Sequence, residues 1–248
     1  MHAGAMVHVA GHHEERVGSV RPDDRLHVDV RGRGQDRVGA DAGACGHEDA
    51  EGPVLGGGTG GYAAAFRAAQ LGKRVALVEK SKVGGTCLHW GCIPAKAMLE
   101  TGDLLAKIGK ATELGIRLAP PEGVDATAVG ARRDKIVARM HAGLKSLFKK
   151  NGVELIAGSG TLVGGGAIDV ALADDGGAAT GEHRRVSATD IIVATGSSVR
   201  RIPGLETDGR LVVSSDEVVT GTFAPKRVIV VGGGAVGCEF ASYFRDLG

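Results

Sequence analysis

The chain has 248 residues, 42 of them glycine, with 30 basic against 29 acidic side chains and a formal net charge of +1. A near-neutral chain exerts no strong pull on nucleic acid or anionic membranes, and no apolar run approaches the ~20 residues of a membrane helix. Four cysteines in a chain this long do not make a disulfide scaffold, so their positions matter more than their number.

Residues 1–53 stand apart. They hold six of the nine histidines (His2, His8, His12, His13, His27 and His47), a single leucine, and no lysine, isoleucine, phenylalanine or threonine. Such a segment cannot assemble a core, and a disordered tail is expected. Metal binding by the histidines and nucleic-acid contact through Arg31-Gly32-Arg33-Gly34 are alternative readings, but the histidines lack ligand spacing and acidic residues are mixed among the arginines. No metal site is expected. The scarcity of residues with A/T-rich codons fits GC-rich DNA read out of frame or from too early a start. The N-terminus has no apolar h-region, so a cytoplasmic location is expected rather than secretion.

From Val54 to about Arg200 the pattern is α/β. Gly56-x-Gly58-x-x-Gly61 has the spacing of a dinucleotide-binding loop, yet only Val54 and Leu55 stand before it, after Pro53. A shortened or frayed first strand is therefore expected. A helix should follow at Gly60–Leu71, a strand at Lys73–Glu79 and a helix at Cys92–Ile108. An amphipathic helix should cover Val129–Lys150, with Ile136, Val137, Met140, Leu144, Leu147 and Phe148 at helical spacing and its basic residues forming a solvated face. Short strands are expected at 153–157, 161–163, 167–172 and 184–186. Residues 190–196 read as a buried strand ending in a glycine turn. A loop with Pro203 leads to a strand at Lys226–Val231 and a second loop, Gly232-x-Gly234-x-x-Gly237. The chain stops about one helix later, so its C-terminal unit reads as cut short. The expected organisation is a tail over 1–53, a nucleotide-binding domain over 54–200, and a linker with one βα unit over 201–248.

Glu79 lies at the end of the strand after the first loop. A carboxylate there accepts hydrogen bonds from ribose hydroxyls and disfavours a 2′-phosphate, which selects FAD or NAD over NADP. The alternative is a glycine-rich turn used only for packing. Cys87 and Cys92 are separated by four residues, and alone they could be two buried free thiols. Their setting, Gly84-Gly-Thr-Cys-Leu-His-Trp-Gly-Cys-Ile-Pro-Ala-Lys96, closely resembles the redox segment of the flavin-dependent pyridine nucleotide–disulfide oxidoreductases. Within that family it looks most like the dihydrolipoamide dehydrogenase type. The resemblance extends from Val54 to Gly248, through "EKSKVGG", "GSG" at 158–160, "IIVATGS" at 191–197 and "PKRVIVVGGGAVGCEFAS" at 225–242.

The resemblance implies a Rossmann-like FAD-binding domain, a parallel sheet with a small antiparallel meander, followed by the start of a Rossmann-like NAD-binding domain. FAD is implied as a tight, non-covalent cofactor and NAD as the second nucleotide. Cys87 is implied as the outer thiol that exchanges with substrate, and Cys92 as the thiolate that faces the flavin. Lys96 is implied near the flavin ring, and Gly160 near the adenine. Lys80, Gly85, Thr86, Thr195, Gly196 and Ser197 are implied as further contacts to FAD. Glu239 and the second glycine set are implied near the NAD phosphates. His89 has no role by position, Trp90 is expected to pack, Cys238 to be an inert packing residue, and Cys45 has no partner.

The implied reaction is oxidation of dihydrolipoamide through a Cys87–Cys92 disulfide and FAD, with reduction of NAD+. The implied partners are a lipoyl domain of a 2-oxoacid dehydrogenase or glycine cleavage complex and a second subunit in a homodimer, with neither nucleic acid nor membrane. Family members supply a His–Glu acid–base pair that nothing in this chain matches, so the chain is expected to be a truncated, inactive fragment. An NADPH enzyme of the glutathione or mercuric reductase type, and a non-catalytic FAD-binding fragment, are the alternatives.

Overall fold

The computed structural model describes residues 50–174, 176–199 and 202–248, and the backbone alone of residues 5–8. Strand β1 (Ala5–His8) comes first. Then come β2 (Val54–Leu55), α1 (Thr59–Gln70), β3 (Ala76–Glu79), α2 (Gly85–His89), α3 (Cys92–Gly109) and α4 (Ala126–Lys150), with a 3₁₀ turn at Ala111–Leu114 before α4. The strands β4 (Glu154–Gly164), β5 (Ala167–Ala173), β6 (Ala179–Ser187) and β7 (Ile192–Val193) follow. The chain closes with β8 (Val212–Val213), α5 (Ser215–Thr220), β9 (Val228–Val231) and α6 (Ala235–Asp246).

The larger sheet has the order β6-β5-β4-β3-β2-β7. From β4 to β7 its neighbours run parallel, while β4, β5 and β6 form an antiparallel meander. β4 serves both halves: Glu154–Ala157 pair with β3, and Gly158 onward pair with β5. Gly158 makes the change of direction at φ +156, where a Cβ would lie 2.3 Å from the Ala171 carbonyl oxygen. The expected pieces 153–157 and 161–163 are thus one strand.

Period-two alternation splits the strands between two faces. Val54 and Leu77 turn toward Ala65 of α1 and Leu144 and Phe148 of α4. Leu55, Ala76, Val78 and Ile156 turn the other way, onto Ile168, Val170 and Val186 of the meander. Each fully buried Val, Leu or Phe contributes roughly 1.5–3 kcal/mol relative to exposure.

The first strand is short but not frayed. Val54 and Leu55 are buried and paired on both sides, to β3 and β7. The Pro53 carbonyl accepts the Ile192 N–H at 3.0 Å, but proline has no N–H to return to β7. β7 does not meet its expectation of a buried strand over 190–196. It has two residues, and Val193 is 53% exposed. As the edge strand it has one neighbour among the described strands. On α4 the basic face is not wholly solvated, since Arg133 is buried, while Met140 and Leu147, expected in the core stripe, are exposed.

A second, three-stranded parallel sheet has the order β8-β1-β9. Ala5–His8 pair with Val228–Val231 and, in part, with Val212–Val213. This corrects the expectation of a structureless tail for those four residues. The rest of residues 1–49, including Cys45, the other tail histidines and Arg31–Gly34, lies outside the described residues. At the tail's end, Ala50 packs on the meander-side core and the Glu51 N–H donates to the Arg74 carbonyl.

Helix α3 joins the two sheets. Ala95 and Met98 on its outer face form one buried cluster with Val213, Val218, Val219, Phe240 and Tyr243 of the second unit. At Gly102 a Cβ would come within 3.4 Å of Tyr243 and Asp246, so the lack of a side chain lets α6 lie close against α3.

Candidate active site

A cleft of about 550 Å³ opens where the first glycine loop, the cysteine segment, the end of β7 and the start of α6 meet. Gly58, Thr86, Cys87, Cys92, Lys96, Gly196, Ser197 and Glu239, all expected site residues, line it.

The two glycine loops are built alike. Gly56 has φ +104, and a Cβ there would lie 2.2 Å from the Ala194 oxygen; a Cβ on Gly61 would lie 1.8 Å from the Gly56 oxygen. Gly232 has φ +116, and a Cβ on Gly237 would lie 2.0 Å from the Gly232 oxygen. Outer glycines of both loops therefore close the turn and seat the following helix. The middle ones differ: beside Gly58 only Gly85 Cα lies at 4.0 Å, and beside Gly234 nothing lies within 4 Å. That open space is the volume a bound phosphate group would take.

Electrostatics agree. α1, α3 and α6 begin at Gly58, Gly91 and Gly234 with no side-chain cap and no acidic residue in the first turn. By contrast, Asp125 caps α4 and Ser214 with Glu217 forms a capping box on α5. The uncapped helices present free N–H groups and the positive end of a dipole to the cleft, which suits an anion or a thiolate.

Glu79 has a structural task. One carboxylate oxygen accepts from the Gly57 N–H at 2.6 Å and the other from the Ser81 N–H at 2.8 Å. It braces the loop and retains lone pairs for a ribose. Glu79 and Lys80 line a second cavity of about 590 Å³, with Lys82, Val83, His141, Lys145 and Ala157.

Cys87 sits on α2, half-buried, and Cys92 is the exposed first residue of α3; both are free thiols. Burial above all pushes the Cys87 thiol up to about 11 from an ordinary 9.0, and its hydrogen bond to Cys92 and the charge there push the same way. The Cys92 backbone N–H and the Lys96 ammonium oppose the rise without cancelling it. The Cys87 thiol thus holds its proton more firmly than an ordinary cysteine. Cys92 is the more exposed of the two. Lys96 forms an ion pair with Glu239, which links the cysteine helix to the second loop's helix.

Several expected residues stand elsewhere. Gly160 is a packing glycine: a Cβ there would come within 2.5 Å of Leu55 and 2.9 Å of Ile168. Gly85 is pressed against Gly58, its own Cβ position 2.7 Å from the Gly58 Cα, and Thr195 is exposed but does not line the cleft. Cys238 is exposed, not packed, with its S–H toward the Gly233 carbonyl at 3.5 Å. Among the described residues no cluster of three His, Cys, Asp or Glu side chains could hold a metal. Sequence reasoning missed Trp90, Ser215, Val219 and Phe240 on the cleft wall. For α5 a signal was present, Ser214-Ser-Asp-Glu217, which has capping-box spacing.

Residues 53–248 match the pyridine nucleotide-disulphide oxidoreductase family. Dihydrolipoyl dehydrogenases of Zymomonas mobilis and Bacillus subtilis are each 40% identical to the chain, over 195 and 202 residues. The match covers 79% of this chain but 40% and 41% of theirs, so the chain spans about two fifths of the length of these relatives. The crystal structure of LpdA from Mycobacterium tuberculosis superposes with a TM-score of 0.69 at 27% identity, covering 79% of this chain and 43% of that one. The similarity is therefore one of sequence and of fold, and it covers both glycine loops and the cysteine pair: this chain belongs to the pyridine nucleotide-disulphide oxidoreductase family.

Proposed function

We propose that the chain is the dithiol and flavin-binding part of a dihydrolipoyl dehydrogenase, which oxidises dihydrolipoamide and reduces NAD+. The observation that carries this reading is the single cleft that gathers Gly58, Cys87, Cys92, Lys96 and Glu239. FAD fits the residues present: the space beside Gly58 and the uncapped start of α1 receive its pyrophosphate, and Glu79 reaches its ribose from the edge of the second cavity. When bound, FAD supplies two-electron transfer between a dithiol and a nicotinamide.

The chain's own residues do the rest. A substrate thiolate attacks one sulfur of the oxidised pair, forms a mixed disulfide and releases the other sulfur as thiolate. The second substrate thiol then closes the cyclic disulfide and frees both cysteines. The helix dipole at the start of α3 favours negative charge on Cys92, while Cys87 holds its proton more firmly than an ordinary cysteine. Lys96, paired with Glu239, places a cation on the cleft wall between the two loops. His89 donates its Nε2 proton to the Val83 carbonyl, and no role as the base that deprotonates the substrate is assigned to it. Such a base adds roughly 10²–10⁴ in rate, and slow or absent turnover is proposed for this chain alone.

The proposed partners are a lipoyl domain of a 2-oxoacid dehydrogenase or glycine cleavage complex and a second subunit, and the proposed location is the cytoplasm. No helix among the described residues is long and apolar enough to cross a membrane. The test is to purify residues 1–248, titrate with FAD and follow quenching of flavin fluorescence, then assay NAD+-dependent oxidation of dihydrolipoamide. Saturable binding that Gly58→Ala weakens supports the reading. No binding by the folded chain sinks it.

A further inference from the structure

His89, Trp90 and His141 have no part in the chemistry above, yet they form a continuous contact from the second cavity to the cysteine cleft. His141, on α4, lines the cavity beside Glu79 and Lys80. Its ring meets that of His89 edge-on, 4.9 Å between centroids. His89 Nε2 lies 3.0 Å from the Val83 carbonyl oxygen. A carbonyl only accepts, so Nε2 carries the proton and donates it. On its other side the His89 ring touches that of Trp90 at 5.3 Å, and Trp90 lines the cleft with Cys87 and Cys92.

The helix that carries Cys87 needs such a support. α2 has five residues and no side-chain cap at its start. A helix this short is not stable by itself and takes its position from its contacts. Two side chains of α2 anchor it to the fold: Leu88, buried in the core under α4, and His89, bonded to Val83. Burial, then His89, Lys145 and Lys82, all oppose a charge on His141 and lower its pKa from the ordinary 6.5. A neutral ring packs against its neighbour where a cation would add repulsion.

We propose that His89, held by Val83 and braced by His141, is a positioning residue that fixes Cys87 against Cys92 and so sets the stability of their disulfide. The inference rests on the reading of the two cysteines as a redox pair. With oxidised glutathione as the oxidant, one cysteine thiolate attacks the glutathione disulfide and expels a first glutathione thiolate. The other cysteine, once deprotonated to solvent, attacks the mixed disulfide and expels the second. Two electrons pass from the cysteine pair to glutathione, and two protons to solvent or to the released thiolates. The second attack is intramolecular, so its equilibrium reports how well the two sulfurs are held together.

The experiment equilibrates the full chain, with Cys45 and Cys238 changed to serine, in mixtures of reduced and oxidised glutathione. Acid quenching, alkylation and mass spectrometry then give the fraction of Cys87–Cys92 disulfide. His141→Ala and His89→Ala are expected to lower the effective concentration of the pair about tenfold, about 30 mV for a two-electron couple. His89→Gln keeps an N–H for Val83 and His141→Phe keeps the ring, so both are expected within about threefold of the parent. Fluorescence of Trp90, the sole tryptophan, should shift in the alanine variants and not in the conservative ones. If His89→Ala does not fold, the His141 pair decides the matter. Equal disulfide stability in parent and His141→Ala overturns the proposal, as do conservative variants that fall as far as alanine. A parent that forms only mixed disulfides with glutathione refutes the redox-pair reading itself, a result distinct from variants that match a disulfide-forming parent.

Discussion

Replacing Gly58 by alanine separates the fold of the first loop from its function. Gly58 has φ −70 and ψ −172, which any residue adopts, and a Cβ there meets no protein atom nearer than 4.0 Å. The flexible unfolded chain loses entropy with the change, which favours folding by about 0.4–1 kcal/mol. Alanine is a poorer N-cap than glycine, which costs a similar few tenths to 1 kcal/mol. The two offset, so the thermal midpoint of the flavin-free chain should move by no more than a few degrees. Flavin binding should not be spared. The methyl group takes the space through which phosphate oxygens approach the N–H groups at the start of α1. Loss of one charge-assisted hydrogen bond is worth about 1.5–3 kcal/mol, which is about 10–150-fold in Kd. Gly61→Ala is the contrasting control. Its Cβ would stand 1.8 Å from the Gly56 oxygen, and relieving that overlap should cost about 1–3 kcal/mol of stability with no ligand present. Circular dichroism melts and a flavin fluorescence titration on both variants are the assays. Unchanged flavin affinity in Gly58→Ala, or a loss matched by unfolding, would refute the reasoning.

Other consequences are open to measurement. The folded-state pKa of Cys87, about 11, lies above its ordinary 9.0, so the proton it holds favours the folded reduced chain. That contribution is complete below about pH 9 and should be lost as the pH rises toward 11. Denaturation of the reduced chain across this range should show the loss, and Cys87→Ala should not. Arg133 is buried and donates to the Gly221 carbonyl at 2.6 Å and the Thr220 carbonyl at 3.0 Å. Arg133→Ala leaves both carbonyls unpaired and should cost about 2–4 kcal/mol in urea unfolding, with little rescue by lysine, which lacks the fork. The Lys96–Glu239 pair is partly exposed on both sides. A double-mutant cycle on it should give a coupling of no more than about 1 kcal/mol, falling with salt.

What the sequence made legible follows from how local each signal is. The helices at 59–70, 92–109 and 126–150 were foreseen within three residues at every end, the last from its long, repeated apolar spacing and the first from the glycine loop that opens it. The glycine loops were legible because φ > 0 and close backbone approach exclude almost every other residue. α2 was not, since Gly-Thr-Cys-Leu-His has no period to read and takes its shape from α3 and α4. Burial of β7 was misjudged because an apolar run looks the same in the centre and at the edge of a sheet. Gly160 is expected near a cofactor by its motif, and a Cβ there would meet Leu55 and Ile168, a packing need that the motif does not reveal. That need comes from the packing of β2 against β5, strands more than a hundred residues apart.

Helix α3 gives its start to the cysteine chemistry and its outer face to the core of the C-terminal unit. A boundary drawn at residue 200 therefore cuts through a shared buried cluster. Chains cut there would expose Ala95 and Met98 to water and leave Phe240 and Tyr243 without their apolar partners on α3. Amide hydrogens of α3, α5 and α6 should accordingly exchange with one common opening free energy, as a single foldon. Motions that carry the second glycine loop away from the cleft would have to carry the cysteine helix with it.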